Sequence, residues 1–271
     1  LYRAFNNFDF NPYFYDWPNF IIYLNAFVSS LYIFYNIILG INPEEIPHIN
    51  FVILIRTAAL LTSILHTYII FRITKKIYNV NIALLISAVA AFTPLYFVYS
   101  TIAKAEIWFS FFSTLVLYFS LAIYFKGKLK HYILAGLFLG LTIGSKFTGI
   151  LFCSTIITAH ILKNKLLINR KILISALITC LTFIITCPYT LFDLKNLISA
   201  LPVLNEIWSE NFDVSNKNIY FSNLKNLFSS SQLGLISVLL IFISIIKSFN
   251  KKFNYLLIFF VPSIIYFLLI S

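Results

Sequence analysis

Three ionisable residues, Arg56, Glu106 and Lys146, stand within or beside long apolar stretches of the chain. A charged side chain in apolar surroundings needs either a partner or a function. Arginine offers a planar fork of donors and lysine a compact positive charge, and both bind phosphate oxygens. A carboxylate beside two such cations suits the binding of an anionic lipid head group, such as a phosphate or pyrophosphate. The alternative is that the cations reach lipid head groups and Glu106 meets water at a helix end.

The composition of the chain indicates that these residues belong to a membrane protein. Of its 271 residues, 60% are hydrophobic and only 11% are charged, and the mean hydropathy is +0.90. A soluble domain with one core cannot bury that much apolar surface, so membrane lipids are the expected surroundings. A net charge of +11 could suggest nucleic acid, but the basic residues do not form the clustered surface that a polyanion requires.

Apolar runs of about 20 residues predict the helices that position the three charges. We expect spans at 51–72, 82–99, 107–125, 171–188, 232–247 and 253–270, with Pro94 and Pro188 breaking or kinking helices near their ends. Together with the hairpin described below, the prediction is an all-α, polytopic transmembrane helical bundle of about eight membrane segments. An outer interfacial helix completes this single domain over residues 1–271.

Acidic and basic residues are sorted between alternate loops. Four loops, around 72–76, 126–130, 163–171 and 247–252, hold most of the lysines and arginines and no acid. All nine acids fall in the other set of loops: Asp9, Asp16, Glu44, Glu45, Glu106, Asp193, Glu206, Glu210 and Asp213. By the positive-inside rule, the basic loops are predicted to be cytoplasmic and the acidic loops to lie outside.

The stretch 131–162 is too long for one span, yet both of its flanks are basic. We therefore expect a hairpin of two short helices, at about 132–144 and 148–162, whose apex 144–149 lies toward the outer leaflet. With arms this short, Lys146 should lie below the membrane surface. Glycines at 136, 140 and 144 form a small-residue face on which another helix can pack closely.

Residues 17–39 allow two interpretations, because the stretch is long enough to span but carries several polar residues and tyrosines. We favour an interfacial helix over a spanning one, which places all of 1–50 outside. The chain then divides into an external loop at 1–50, membrane helices at 51–188, an external loop at 189–231 and membrane helices at 232–271. The four histidines are too scattered to predict a metal site.

Several short motifs follow one another along the predicted outer side of the chain. They are the runs 2–5 and 8–18, Arg56 opening a span, 105–109 around Glu106, 137–146 with its two glycines, and Pro188-Tyr189 with Asp193. In this order they resemble the GT-C membrane glycosyltransferases, in particular the bacterial and archaeal relatives of the dolichyl-phosphate-mannose-protein mannosyltransferases and of the lipid A aminoarabinose transferases. The resemblance covers nearly the whole chain, although each motif is short.

This resemblance implies an inverting enzyme that moves a sugar from a polyprenyl-phosphate-linked donor to a lipid, glycan or protein acceptor. Glu106 would be an acidic group of the catalytic cavity, while Arg56 and Lys146 would hold the donor phosphate and stabilise the leaving group. The cavity would also be lined by Asp9, Asn11, Tyr189 and Asp193. The resemblance implies no certain cofactor and leaves dependence on a divalent metal open.

The family's principal acidic pair should stand a few residues before Leu1, so the chain is expected to be a truncated fragment that lacks it. The same resemblance implies a multi-pass protein of a bacterial or archaeal plasma membrane, with its active site facing outside. Two other functions stay open. A lipid-linked-sugar flippase or secondary transporter would be expected to show duplicated halves, and the sequence has no such repeat. A glycan polymerase or ligase would be expected to carry arginines in its large external loop, and residues 189–231 contain none.

Overall fold

The structure, a computed structural model, describes residues 10–13, 17–102, 104–164, 168–200, 258–259 and 261–262. Most of these residues are helical, and no strand occurs among them. Four helical stretches are long and apolar enough to cross a membrane, and a bent pair of helices makes a fifth candidate. The chain is therefore an all-α, polytopic membrane protein, as predicted. The predicted span 232–247 and most of 253–270 lie outside the described residues.

The helices in chain order are α1 (Phe20–Ile38), α2 (His48–Ile77), α3 (Val80–Ala91), α4 (Pro94–Thr101), α5 (Ala105–Lys126), α6 (Leu129–Ser145), α7 (Cys153–Asn164), α8 (Arg170–Thr186) and the short α9 (Tyr189–Phe192). Short 3-10 helices at Pro43–Glu45 and Phe147–Phe152 precede α2 and α7. The spans predicted at 51–72, 107–125 and 171–188 correspond to α2, α5 and α8.

Side-chain contacts give the direction of each helix. Helices α2 and α5 run parallel, because His66 meets Thr114 and Lys76 lies over the Phe125 ring. Helices α6 and α8 also run parallel to each other, since successive glycines of α6 meet successive residues of α8. One end of the bundle, called here the Glu106 end, holds the first residues of α2 and α5 and the last residues of α4, α6 and α8. The opposite end, called the basic end, holds the last residues of α2, α5 and α7 and the first residues of α3, α6 and α8.

The most extensive contact in the described chain joins α6 to α8. Three glycines of α6 face α8 at intervals of one helical turn: Gly136, Gly140 and Gly144. A Cβ atom added to Gly140 would lie only 2.6 Å from Thr182 Cβ, so a larger residue does not fit. Thr179 Oγ1 donates a hydrogen bond to the Gly136 carbonyl at 3.1 Å. The close approach predicted from the glycine spacing is confirmed.

We predict that Gly140→Leu separates α6 from α8 and lowers the free energy of unfolding by about 3 kcal/mol, the upper end of the usual range for overpacking. Thermal unfolding of the purified protein in a mild detergent measures the effect. The matched control is Ile133→Leu, which conserves volume on the same helix and should change stability by less than about 1.5 kcal/mol. Equal effects of the two substitutions would contradict a close glycine-mediated contact.

The predicted hairpin over 131–162 is present as two helices, α6 and α7. Between them, Lys146 has an extended backbone, with φ −158° and ψ 132°, and the 3-10 helix Phe147–Phe152 follows it. Gly149 is buried against the backbone of Thr142, where a Cβ atom would lie 2.7 Å from the Thr142 carbonyl oxygen. The chain therefore turns tightly at the apex, and Lys146 is at the point where helical structure is interrupted.

The span predicted at 82–99 is interrupted, because α3 and α4 are bent by 64° at Phe92 and Thr93. Pro94 is the first residue of α4. Proline has no N–H to continue the preceding helix, and its ring forces the residue before it into an extended conformation, as the ψ of 124° at Thr93 shows. Pro94 thus divides the segment into two helices rather than kinking one near its end.

A buried polar network fixes α4 against α2 and α5. Tyr96 Oη donates to the Ser63 carbonyl at 2.7 Å and lies 3.1 Å from His66 Nδ1, while His66 Nε2 lies 2.8 Å from Thr114 Oγ1. Because the tyrosine proton is used on Ser63, we assign the His66 proton to Nδ1 and a hydrogen bond from the Thr114 hydroxyl to Nε2. A neutral His66 therefore joins three helices at mid-depth.

We predict that His66→Leu destabilises the protein by about 1–3 kcal/mol, because it leaves the Thr114 hydroxyl without its partner in an apolar interior. The midpoint of thermal unfolding in detergent reports the loss. His48→Leu is the matched control, since His48 is exposed at the start of the same helix, and it should stay within about 0.5 kcal/mol of the unsubstituted protein. A His66→Leu variant as stable as the control would show that the network contributes nothing.

Helix α1 contacts the Glu106 end of the bundle near both of its own ends. Its first residue, Phe20, packs on Phe112 of α5 with ring centroids 5.8 Å apart. Near its other end, Tyr32 packs on Phe51 in the first turn of α2, at 5.7 Å. Helix α1 has the length and composition of a span. Its interfacial position stays a prediction.

Candidate functional site

The described acids lie at one end of the bundle. Glu44 and Glu45 precede α2, Glu106 begins α5 and Asp193 follows α9. The described lysines and arginines of the three basic loops, at 72–76, 126–130 and 163–171, lie at the basic end. The charge sorting seen in the sequence thus becomes a separation in space. The positive-inside rule predicts that the Glu106 end faces outside.

Glu106 is in the first turn of α5, where the positive end of the helix dipole favours a negative charge. Its Oε2 atom is buried and accepts no hydrogen bond among the described residues. The Nε1 atom of Trp108, two residues further on, is also buried and has no partner in the described chain. A buried polar atom left in this state costs about 1–3 kcal/mol, so both atoms are suited to receive groups of a bound ligand.

Glu106 of α5 and Lys146, the residue after α6, lie at a similar depth on neighbouring helices. Phe138 of α6 stacks between two rings of α5, at 6.4 Å from Phe112 and 5.5 Å from Phe119. At 1.5 Å per residue, Glu106 lies about 14 Å from the level midway between those two rings, and Lys146 lies about 12 Å from Phe138 in the same direction. In addition, Phe109 of α5 packs on Phe152 at 6.0 Å, so the first turns of α5 lie against the segment that follows Lys146.

Arg56 is at the same end but on a more open surface. Counting from the contact between His66 and Thr114, Arg56 lies about 15 Å and Glu106 about 12 Å toward the Glu106 end. The Arg56 side chain is exposed, and Lys146 is half-buried. No ion pair within 4.0 Å connects Glu106 to Arg56 or Lys146. The structure therefore gives the three predicted residues a common end and a similar depth, without direct contact.

The residues predicted to line a cavity form a second group at this end. Asn11 Nδ2 donates to Asp193 Oδ2 at 2.6 Å, and Asp193 Oδ1 accepts from Asn196 Nδ2 at 2.7 Å. Tyr23 Oη donates to the Phe10 carbonyl at 3.2 Å, which holds the same N-terminal segment to α1. Asn11 and Asp193 are thus brought together, while Asp9 lies outside the described residues.

Tyr189 lines a cleft of about 420 Å³ between α1 and the end of α8. The cleft is mostly apolar and opens beside exposed apolar side chains, with Phe27 61% and Ile185 76% exposed. Its walls are Phe10, Phe20, Tyr23, Leu24, Phe27, Ile185, Thr186, Pro188 and Tyr189. Sequence reasoning identified only Tyr189. For four of the other residues, at positions 20, 23, 24 and 27, the sequence signal is their spacing, which places them on one face of a helix.

Among the described residues, no group of three or more histidine, cysteine or acidic side chains could hold a metal ion. His66 is bonded to Tyr96 and Thr114 in the bundle interior. The described polar side chains at the Glu106 end are therefore carboxylates, amides, tyrosine hydroxyls, lysines and an arginine that do not form a metal-binding group. Such a set is suited to binding a ligand that carries both hydroxyl and phosphate groups.

The family model described as dolichyl-phosphate-mannose-protein mannosyltransferase matches residues 50–189, just over half of the chain. The chain belongs to this family and is a membrane glycosyltransferase of the GT-C type. The matched region includes Arg56, Glu106, Lys146 and Tyr189, whereas Asn11 and Asp193 lie outside it. The chain matches no curated protein and no solved structure at a significant level.

We predict that Asn11 and Asp193 are energetically coupled by about 1 kcal/mol in a double-mutant cycle built from Asn11→Ala and Asp193→Ala. The coupling arises because each variant alone already removes their shared hydrogen bond, so the second substitution costs less. Unfolding in detergent measures the four stabilities. A control cycle of Asp193→Ala with Asn42→Ala, which removes the cap of a 3-10 helix, should be additive within about 0.5 kcal/mol. Additivity in both cycles would contradict a hydrogen bond that contributes to stability.

Proposed function

We propose that the Glu106 end transfers a sugar from a polyprenyl-phosphate-linked donor to a lipid, glycan or protein acceptor on the outer face of the membrane. The observation that carries the proposal is the buried, unpartnered Oε2 of Glu106, in the family-matched region and at a depth similar to that of Lys146. A glycosyltransferase needs such an acceptor atom for the hydroxyl that attacks the sugar, close to a cation for the departing phosphate.

In the proposed reaction, an acceptor oxygen attacks the anomeric carbon of the sugar. The bond from that carbon to the donor phosphate breaks, and the phosphate leaves with the electron pair, so the configuration at the carbon inverts. Glu106 accepts a hydrogen bond from the acceptor hydroxyl, orients it and takes up its proton as the new bond forms. Lys146 and Arg56 face the negative charge that develops on the phosphate.

The cleft beside Tyr189 supports the same assignment for the lipid part of the donor. Its apolar walls continue onto the exposed side chains of Phe27 and Ile185, which suit contact with lipid chains. The hydroxyls of Tyr23 and Tyr189 add polar groups to these walls. A donor with an isoprenoid tail and a charged head could place the tail in the lipid and its phosphate toward the cations.

We predict that Glu106→Ala and Glu106→Gln each lower the rate of sugar transfer about 100-fold or more, because neither side chain carries the charge of the carboxylate. Lys146→Ala should lower it by a similar factor through loss of phosphate stabilisation, and Lys146→Arg should restore part of the rate. The measurement is transfer of labelled sugar from polyprenyl phosphate by the full-length protein in membrane vesicles.

The matched control for these variants is Lys195→Ala, which removes an exposed lysine near Asp193 at the same end and should leave transfer unchanged. Expression and thermal unfolding of each variant separate a loss of chemistry from a loss of folding. Transfer at the original rate by a folded Glu106→Ala protein would refute the assignment of this carboxylate.

A further inference from the structure

Three helices begin at the basic end, and they differ in how their first backbone N–H groups are bonded. Asn79 caps α3, with its side chain accepting from Ile82 N at 2.9 Å. Asn169 caps α8, accepting from Lys171 N at 2.9 Å and Ile172 N at 3.2 Å. The N-cap of α6 is instead Lys128, whose side chain makes no capping hydrogen bond. The His131 amide donates to the Lys128 carbonyl at 3.0 Å, whereas the Leu129 and Lys130 amides make no hydrogen bond within the described chain and are open to an anion.

Lysines surround this helix start. Lys128 and Lys130 belong to it, Lys126 ends α5, and Lys76 approaches from the end of α2, 4.6 Å from the centre of the Phe125 ring. All four lysines are exposed, and each lies near enough to His131 to act on its ring electrostatically. Lysines are unfavourable at the positive end of a helix dipole, and no acid of the described chain lies at this end. No negative charge of the described chain therefore balances this group of lysines.

The loop that carries Lys126 and Lys128 is held in place by two further lysines. Lys171 donates to the Gly127 carbonyl at 2.7 Å, and Lys163 donates to the Phe125 carbonyl at 3.3 Å. Gly127 itself has φ +59°, a left-handed conformation that glycine adopts without strain. Because Lys163 and Lys171 are bound to carbonyls, they support the loop while Lys126 and Lys128 project from it.

His131 supplies an independent sign of a ligand. It stands in the first turn of α6, is only 7% exposed, and its Nδ1 atom is buried with no hydrogen-bond partner among the described residues. Buried ring nitrogens are normally bonded. A ligand oxygen that accepted a hydrogen bond from Nδ1–H would satisfy this atom together with the open amides of Leu129 and Lys130.

We propose that the start of α6, with Lys76, Lys126, Lys128, Lys130 and His131, binds the phosphate of an anionic phospholipid in the leaflet at the basic end. A phosphate offers several acceptor oxygens, which suits helix amides and lysines together. The lipid is favoured over a free anion because Leu129, the first residue of α6, is 42% exposed beside these lysines, and Ile168, just before α8 at the same end, is 71% exposed. A lipid can use both surfaces at once, whereas inorganic phosphate can use only the polar one.

The test uses the full-length protein, purified in an uncharged detergent and mixed with phosphatidylglycerol, phosphatidylcholine or inorganic phosphate at matched ionic strength. At about 100 times its dissociation constant, phosphatidylglycerol should raise the unfolding midpoint by about 5 °C. Phosphatidylcholine and inorganic phosphate should leave it unchanged. Equal shifts with both lipids would overturn the proposal, and a full shift with inorganic phosphate would replace the lipid by a free anion.

The decisive variant is Lys128→Asp, which supplies both a cap and a negative charge at the start of α6. It should raise the midpoint without lipid and abolish the response to phosphatidylglycerol. The matched control is Lys104→Asp, because Lys104 is the N-cap residue of α5 at the opposite end and likewise makes no capping hydrogen bond. That variant should respond to phosphatidylglycerol as the unsubstituted protein does.

Lys130→Gln gives a second measurement that keeps the fold of α6. Removing one lysine should weaken the apparent affinity for phosphatidylglycerol about fivefold. An unchanged affinity in Lys130→Gln, or a full lipid response in Lys128→Asp, would overturn the proposal. Since these residues lie at the end opposite Glu106, the readout requires no sugar transfer, and its outcome is independent of the function proposed for that end.

Discussion

The close contact between α6 and α8 determines where the rest of the bundle can lie. Because Gly136, Gly140 and Gly144 have no side chains, the two parallel helices approach at backbone distance and stay in register. At one end this contact places Gly144, two residues before Lys146, against Thr186 and Cys187 at the end of α8. At the other end it brings the Lys126–Lys128 loop against α8, where Lys171 bonds the Gly127 carbonyl. One helix pair therefore positions polar groups at both ends of the bundle.

Much of this architecture follows from the sequence, because a bilayer imposes strong constraints on a chain. Apolar length predicted α2, α5 and α8, and the basic flanks of 131–162 required an even number of passes, which the structure provides as α6 and α7. The 64° bend between α3 and α4 did not follow in the same way. Pro94 indicated a disturbance, but the position of α4 is also held by Tyr96 bonding to Ser63 and His66, a contact between residues far apart in the chain.

The positions of the candidate site residues were predictable to the same extent. The energetic cost of a charge in apolar surroundings pointed to Arg56, Glu106 and Lys146. The separation of acidic from basic loops predicted that these three residues lie at the same end of the bundle, and the helix directions confirm that position. The family resemblance indicated Asn11 and Asp193, and their hydrogen bond could not have been read from a separation of 182 residues. The unpartnered atoms of Glu106 and Trp108 were beyond sequence reasoning, because a vacant bonding position depends on every neighbouring side chain. The aromatic cleft and the unpartnered Nδ1 atom of His131 could not be predicted from the sequence for the same reason.

The helices at the glycine contact are short. Helices α6 and α8 have 17 residues each, whereas α2 has 30. At 1.5 Å per residue these lengths are about 25 Å and 45 Å, and a hydrocarbon layer of about 30 Å cannot match both. Such hydrophobic mismatch is relieved by tilting the long helix and thinning the bilayer around the short ones. A thinned bilayer beside Lys146 would bring water and lipid head groups to the level of this lysine, so that a charged group could reach it without entering the hydrocarbon layer.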